Sequence, residues 1–299
     1  MKRLLLAVLP AMALPAAAQV LRIEAGTTDP MELHFDPVFI GRNAIAEIVG
    51  TPMVKRENEP MREKQERHLY RFDPIGRTVY SNNSFGRPGS GRDTASVSYT
   101  YGTAGQATEE LHNDLSGHYL LTRELDTAGR IVRETYSRVE NLGADRYHLV
   151  PGARTEISDE HYVHATINDT ASKVVFLNNA GLPYREQVRS RDRWGYLRAI
   201  EDHWLVTART GRITFRYDEK GRLAERIERP DLSRPDLIRH EWRYDGAGNV
   251  LHCDLARGSG PVSHTEFVYE DGTMFLKAMV TKQLDTGLIH VIRFSTQRR

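Results

Sequence analysis

The chain of 299 residues predicts an all-β fold, an array of antiparallel β-hairpins forming a curved or wrapped meander sheet. Three observations carry that prediction. An Asp or Asn is followed three residues later by Gly at eight places, starting at Asp73, Asn83, Asp114, Asp126, Asn178, Asp192, Asp218 and Asp245, where composition alone provides about two. The segments leading into these places alternate: in Arg212-Ile-Thr-Phe-Arg-Tyr217 the apolar Ile213, Phe215 and Tyr217 share one face and Arg212, Thr214 and Arg216 the other, the period of a half-buried strand. The last turns recur at steps of 26 and 27 residues, from Asp192 to Asp218 to Asp245, which is room for two strands, a tip turn and a return turn.

Taken in order, residues 1–18 read as a secretory signal peptide. Lys2 and Arg3 precede the apolar run Leu4 to Leu14, and Ala16-Ala-Ala18 supplies small residues for cleavage before Gln19. The run is too short to remain as a membrane span, and no Cys follows it for lipid attachment. The expected location is therefore exported, periplasmic or secreted, and soluble, with no membrane insertion after cleavage. Residues 19–67 form a lead-in, containing Phe35-Asp-Pro-Val-Phe-Ile40 and Ala44 to Val49. It closes on the mixed-sign run Lys55 to Arg67, whose charges cancel locally and which reads as a solvated connection or short helix.

Residues 68–299 hold the repeats, in one domain with the lead-in. The structural turns are Asp73/Gly76, Asp126/Gly129, Asp192/Gly195, Asp218/Gly221 and Asp245/Gly248. At each, the Asp side chain accepts from the backbone two or three residues on, and the Gly takes the left-handed conformation that returns the chain to the ladder. Gly102 to Gly105 is a further unit with Gly for Asp, and Phe267-Val-Tyr269-Glu-Asp-Gly272 a shortened one. Between Asn141 and Thr170 the pattern lapses, as in an insertion or a worn repeat.

Phe215-Arg-Tyr217-Asp218-Glu-Lys-Gly221-Arg-Leu223 and Trp242-Arg-Tyr244-Asp245-Gly-Ala-Gly248-Asn-Val250 resemble the YD repeats of the RHS-repeat proteins. Tyr70-Arg-Phe72-Asp73-Pro-Ile-Gly76-Arg77 and Leu125-Asp126-Thr-Ala-Gly129-Arg130 match in part. The resemblance implies long antiparallel β-ribbons and an exported or effector-associated role. Large members wrap a toxin domain in a hollow shell; this chain is far too short for that. Asp73-Pro-Ile-Gly76 looks like the family's processing motif but reads as an ordinary turn, with Pro pre-set for the second position.

Little chemistry is legible. Lys and Arg number 41 against 40 Asp and Glu, and removing Lys2 and Arg3 leaves 39 against 40, which gives no electrostatic case for nucleic acid or an acidic membrane. His161-Tyr-Val-His164 with Asp159 and Glu160 is a compact set of metal-ligand types, but residues three apart on a strand face opposite sides. Gly89-Ser-Gly91 and Gly258-Ser-Gly260 read as turns. Cys253, the single cysteine, reads as a buried thiol and not a nucleophile. No catalytic set, metal site or cofactor is expected. Phe215, Tyr217, Trp242 and Tyr244 read as cross-strand packing. Trp194, inside a turn, with Tyr196 beside it, is the candidate ligand-binding pair, although Trp194 is expected to fold back on the sheet. The function expected is binding or scaffolding in the cell envelope or outside the cell, with an envelope protein or glycan as partner. An envelope glycan hydrolase with carboxylates assembled across strands, and a structural component of a secretion or surface assembly, stand as alternatives.

Overall fold

A computed structural model describes residues 19–85, 95–103, 105–144 and 149–299. The signal segment 1–18 and the Gly89-Ser-Gly91 turn lie outside the described residues. The elements are α1 (Pro37–Arg42), β1 (Ile45–Lys55), β2 (Arg62–Glu63), β3 (Glu66–Phe72), β4 (Thr78–Phe85), β5 (Ala95–Tyr101), β6 (Ala107–Asp114), β7 (Gly117–Leu125), β8 (Ile131–Asn141), β9 (Pro151–Asn168) and β10 (Ala171–Leu177). There follow β11 (Pro183–Arg191), β12 (Leu197–Trp204), β13 (Arg209–Tyr217), β14 (Leu223–Arg229), β15 (Ile238–Tyr244), β16 (Val250–Arg257), β17 (Gly260–Tyr269), β18 (Leu276–Gln283) and β19 (Ile289–Arg298).

From β3 to β19 each strand pairs antiparallel with its sequence neighbour, as the hairpin array predicts. The sheet does not stay open. β1 pairs with β19, Ile48 opposite Thr296, and on its other edge with β3, Ile48 opposite Tyr70. Among the described residues β1 and β3 to β19 therefore form a closed barrel of eighteen strands, which leaves no strand edge for another chain. The lead-in is not a separate unit: its second half, β1, is the strand that closes the ring. The charged run after Lys55 is a turn, the short β2 and the start of β3, and not a helix. The lapse after Asn141 belongs to a hairpin whose second strand, β9, runs for 18 residues.

The first half of the lead-in is inside the barrel. Residues 19–36 enter, turn and come back, with Arg22 N–H donating to His34 O at 2.8 Å, Asp36 N–H to Val20 O at 2.9 Å, and Leu21 bridging Phe35. The inserted segment alternates like a strand: Leu21, Ile23 and Ala25 pack against the core while Arg22, Glu24 and Gly26 are exposed. The returning chain leads into α1, where Asp36 caps the Phe39 N–H at 2.9 Å and Pro37 occupies the first turn. Val20, Leu21, Phe35, Phe39 and Ile40 join Ile200, Phe215, Trp242, Cys253, Phe267 and Phe294 from the barrel's inner wall in one core. The plug thus fills the side of the barrel built by β12–β19, β1 and β3.

α1 sits under the β3–β4 turn. Gly41 and Gly76 make that contact, since a Cβ on Gly41 would lie 2.9 Å from Ile75 O and one on Gly76, at φ +92°, 2.0 Å from Pro37 O. The buried Arg226 of β14, 2% exposed, ties the plug to the wall it covers by donating to Thr27 O at 2.6 Å, with Glu228 Oε1 2.9 Å from its Nε.

Candidate functional site

The repeated turns are scaffolding, and their chemistry is uniform. Asp218 accepts from the N–H groups of Lys220 and Arg222, each at 2.9 Å, while its second oxygen accepts Arg222 Nε at 2.7 Å. Asp73 with Arg77 and Asp126 with Arg130 repeat this at 2.7 Å, and Asp192 and Asp245 make the corresponding backbone bonds. Gly76, Gly129, Gly195, Gly221 and Gly248 all have positive φ. Where a Tyr precedes the turn, it bonds the unit to the one before it. Tyr217 donates to Leu197 O at 2.9 Å, Tyr244 to Leu223 O at 2.7 Å, Tyr269 to Val250 O at 2.8 Å and Tyr101 to Thr78 O at 2.6 Å. Three of the eight Asp/Asn-to-Gly spacings depart from this series. Asn83 lies within β4, with its Gly86 outside the described residues, and Asp114 and Asn178 turn at the opposite end of the barrel from Asp73, Asp126, Asp192, Asp218 and Asp245.

Of the proposed ligand-binding pair, Tyr196 packs against Tyr217 with centroids 4.9 Å apart and planes tilted by 44°, in the place where Arg222 covers Tyr244 one unit later. Trp194 does not fold back on the sheet. It is 69% exposed, with the Arg193 guanidinium 4.1 Å above its ring, because its own turn bonds point the side chain outward and a cation supplies the cover. His161 and His164 do face opposite ways: His161 lies 3.4 Å from Asp159, and His164 Nε2 lies 2.7 Å from Ile131 O. Among the described residues no group of three metal-ligand side chains is assembled. Cys253 is buried opposite Trp242, and burial pushes its thiol up to about 12, as for an inert core thiol. Phe215 and Trp242 are each 3% exposed and pack in the core.

The chemistry lies elsewhere, on the inner wall that the plug leaves uncovered. The strand periods bring together side chains from β6, β7, β8, β9 and β11 in one continuous ladder. His112 Nε2 lies 3.2 Å from Glu110, and Arg123 donates to Glu110 at 2.5 Å and to Glu134 at 2.9 Å. The Tyr162 hydroxyl lies 3.2 Å from Glu134 and 3.3 Å from Glu160, and Tyr184 donates to Glu160 at 2.8 Å. One hydroxyl carries one proton, so Tyr162 serves one of its two carboxylates at a time. The ladder therefore holds three carboxylates against a single guanidinium. The His112 bond, with Arg123 behind it, holds the Glu110 carboxyl below its usual range against the opposing effect of burial. Burial and the neighbouring carboxylates push the Tyr162 hydroxyl far up, so it stays a neutral donor. Burial works against the Arg123 charge, and its pairing with Glu110 and Glu134 more than restores it. Further round, Arg185 bonds Asp202 at 2.8 Å and lies 4.5 Å above the Phe176 ring.

Glu110 also lines a cavity of about 520 Å³ between the plug and β3–β6, with Glu24, Glu32, His34, Tyr70, Tyr99 and Tyr101. A neighbouring cavity of about 480 Å³ shares Glu32, Leu33, Tyr70 and Ser81 with it. A half-open lumen lined by aromatic rings and a few convergent polar groups is the kind of concave site that holds a small molecule. The alternation of Glu160, Tyr162 and His164 on one face of β9 is visible in the sequence, but which strands face it is not.

The outer wall differs in kind. Around the circumference it carries cross-strand ion pairs, Arg71–Glu47 at 3.0 Å, Arg133–Asp159 at 2.7 Å, Lys173–Glu186 at 2.6 Å, Arg212–Glu201 at 2.8 Å and His264–Asp254 at 2.5 Å. No helix among the described residues is long and apolar enough to cross a membrane.

No family model and no curated protein matches the sequence. Similar solved structures include a porin-like protein from Bacteroides uniformis, 12% identical with a TM-score of 0.39, the match covering 85% of this chain and 97% of that one. A porin-like protein from Bacteroides vulgatus is 9% identical, TM-score 0.34, covering 85% and 99%. A LolA superfamily protein from Nitrosomonas europaea is 11% identical, TM-score 0.19, covering 88% and 90%. Likeness at this level transfers neither a site nor a function to this chain.

Proposed function

We propose that this chain is an exported, water-soluble β-barrel that acts by binding, taking a small polar ligand into its half-open lumen in the periplasm or outside the cell. The observation that carries the reading is the division of the interior: one side is a dry core closed by the plug, the other a water-accessible wall of tyrosines and carboxylates. The charged outer wall supports solubility, since a membrane barrel presents an outward apolar band flanked by aromatic girdles and charge on its lipid face is costly. The signal-like N-terminus supports export, and the Asp-Arg and Tyr-carbonyl bonds of the turns support the YD-repeat resemblance as an architectural one.

Two measurements test it. The purified protein should remain monodisperse without detergent, and aggregation relieved only by detergent would overturn the soluble reading. Thr28, exposed on the plug and lining the cavity, is the place to block the lumen. Ligand binding seen by calorimetry should be lost in Thr28→Trp, and undiminished binding would place the site elsewhere.

A glycan hydrolase is the second reading, favoured by Glu134 and Glu160 meeting at one hydroxyl. Paired carboxylates are what glycoside hydrolysis needs. It predicts hydrolysis of a chromogenic glycoside that Glu160→Gln abolishes.

A further inference from the structure

We propose that the open lumen takes a small organic cation, an ammonium or guanidinium group held by Glu32 and Glu110 against the rings of Tyr70, Tyr99 and Tyr101; this rests on the lumen-binding reading above. The charge balance of the wall points to it. The two guanidiniums that line the cavity are already engaged, Arg22 with Glu24 at 3.0 Å and Arg77 with Asp73 at 2.7 Å. Glu32 is 60% exposed and, among the described residues, has His34 beside it at 3.8 Å, which is a charge partner only when protonated. Behind Glu110, the ladder through Glu134 and Glu160 sets three carboxylates against Arg123, and the guanidiniums of Arg185 and Arg189 lie further round, held by Asp202 and Gln187. An anion entering here meets unmatched negative charge, and a neutral ligand leaves Glu32 as it is.

The rings supply the second half of the recognition. A cation over an aromatic face is attracted by the ring quadrupole, more so where water is displaced. The wall already holds one guanidinium in this manner: Arg77 lies 4.4 Å above Tyr101 while its Nε bonds Asp73. That carboxylate-plus-ring arrangement is what Glu32 and Tyr70, or Glu110 and Tyr99, offer to a ligand. Burial keeps Tyr70 and Tyr99 protonated, and pushes Tyr101 up to about 12, so the ring faces do not compete as anions. A cavity of about 520 Å³ suits a ligand of metabolite size.

The test is calorimetry on the purified protein with L-argininamide, putrescine and choline as cations, maltose as a neutral probe and citrate as an anion. At least one cation should bind, with affinity falling tenfold or more in Glu32→Gln and in Thr28→Trp, while maltose and citrate give no heat. Both substituted residues are exposed, and a circular-dichroism melt confirms that the variants fold. Maltose or citrate binding that Thr28→Trp blocks, without cation binding, would overturn the cation assignment and leave the lumen reading standing. Cation binding that survives both variants would overturn the assigned site. Silence from every probe would overturn the cation proposal while an unrelated ligand blocked by Thr28→Trp would still support the lumen.

Discussion

Gly76 and Gly195 occupy the same position in two copies of one turn, and they separate backbone strain from packing. Their φ values are +92° and +89°, so an Ala at either carries the same left-handed penalty, about 1–2 kcal/mol. Their surroundings differ completely. A Cβ at Gly195 meets nothing within 4 Å, whereas one at Gly76 would lie 2.0 Å from Pro37 O and 2.6 Å from Gly41 N. Carbon contacts become favourable only near 3.5 Å, so the β3–β4 turn and α1 must part by more than an ångström. Overpacking of that size costs about 1–3 kcal/mol or more, and here it also loosens the helix that anchors Phe39 and Ile40 in the core. Gly195→Ala should therefore lower the unfolding free energy by about 1–2 kcal/mol and Gly76→Ala by about 2–5 kcal/mol in urea titrations followed by tryptophan fluorescence. Equal losses in the two variants would refute the docking of the plug helix on this turn.

Three shorter predictions accompany it. Tyr244→Phe removes the 2.7 Å bond to Leu223 O and nothing else, so it should cost about 1 kcal/mol in the same titration. Trp194→Ala should change stability by less than about 0.5 kcal/mol, because the ring is exposed; a larger loss would show that the ring packs on the barrel in solution. His240 is held near 4 by burial first and by the adjacent Arg226 second, so it is neutral when folded and charges on unfolding below its ordinary 6.5. Its contribution is fully present above 6.5 and is lost as pH falls toward 4, up to on the order of 3 kcal/mol. His240→Phe should flatten the urea midpoint across that window, and an unchanged pH profile would count against a buried neutral imidazole.

What was legible in the sequence is what is decided locally. An Asp, its Gly and the Arg after it make their bonds within five residues, so Asp73, Asp126 and Asp218 could be read as turns without knowing what lies across the sheet. Among the described residues the same locality gives no turn bond at Asn83 itself, which is paired within β4 opposite His68. Closure was not legible because it depends on Ile48 meeting both Tyr70 and Thr296, partners that no local pattern names. The ladder was hidden for the same reason: Glu110, Glu134 and Glu160 are unremarkable acids until three different strands bring them into register. Trp194 stood out in the sequence because it is large and sits in a turn, and it stays 69% exposed with only the Arg193 guanidinium over its ring among the described residues.

The size of the ring accounts for the plug and for the open site together. Side chains just fill a barrel of about eight strands, whereas about 16–18 strands leave an aqueous interior. An eighteen-stranded ring of this length thus has no core of its own. Residues 19–43 supply one by running in and out along one side, where Leu21, Phe35 and Phe39 meet Phe215, Trp242 and Phe294. A single two-stranded insert is not wide enough to reach the opposite wall. That wall has stayed polar, with Glu24 and Glu32 of the plug turned toward it and Glu110 facing back. An apolar wall there would be an exposed patch inside a wet lumen, a surface that favours collapse or aggregation. Apolar replacement of the ladder, for instance Glu134→Leu with Glu160→Leu, should therefore leave the plugged side folded while making the protein prone to self-association, read by light scattering at constant urea midpoint. A variant that stayed monodisperse and became more stable would mean that the second side of the barrel is a core in waiting and not a binding surface.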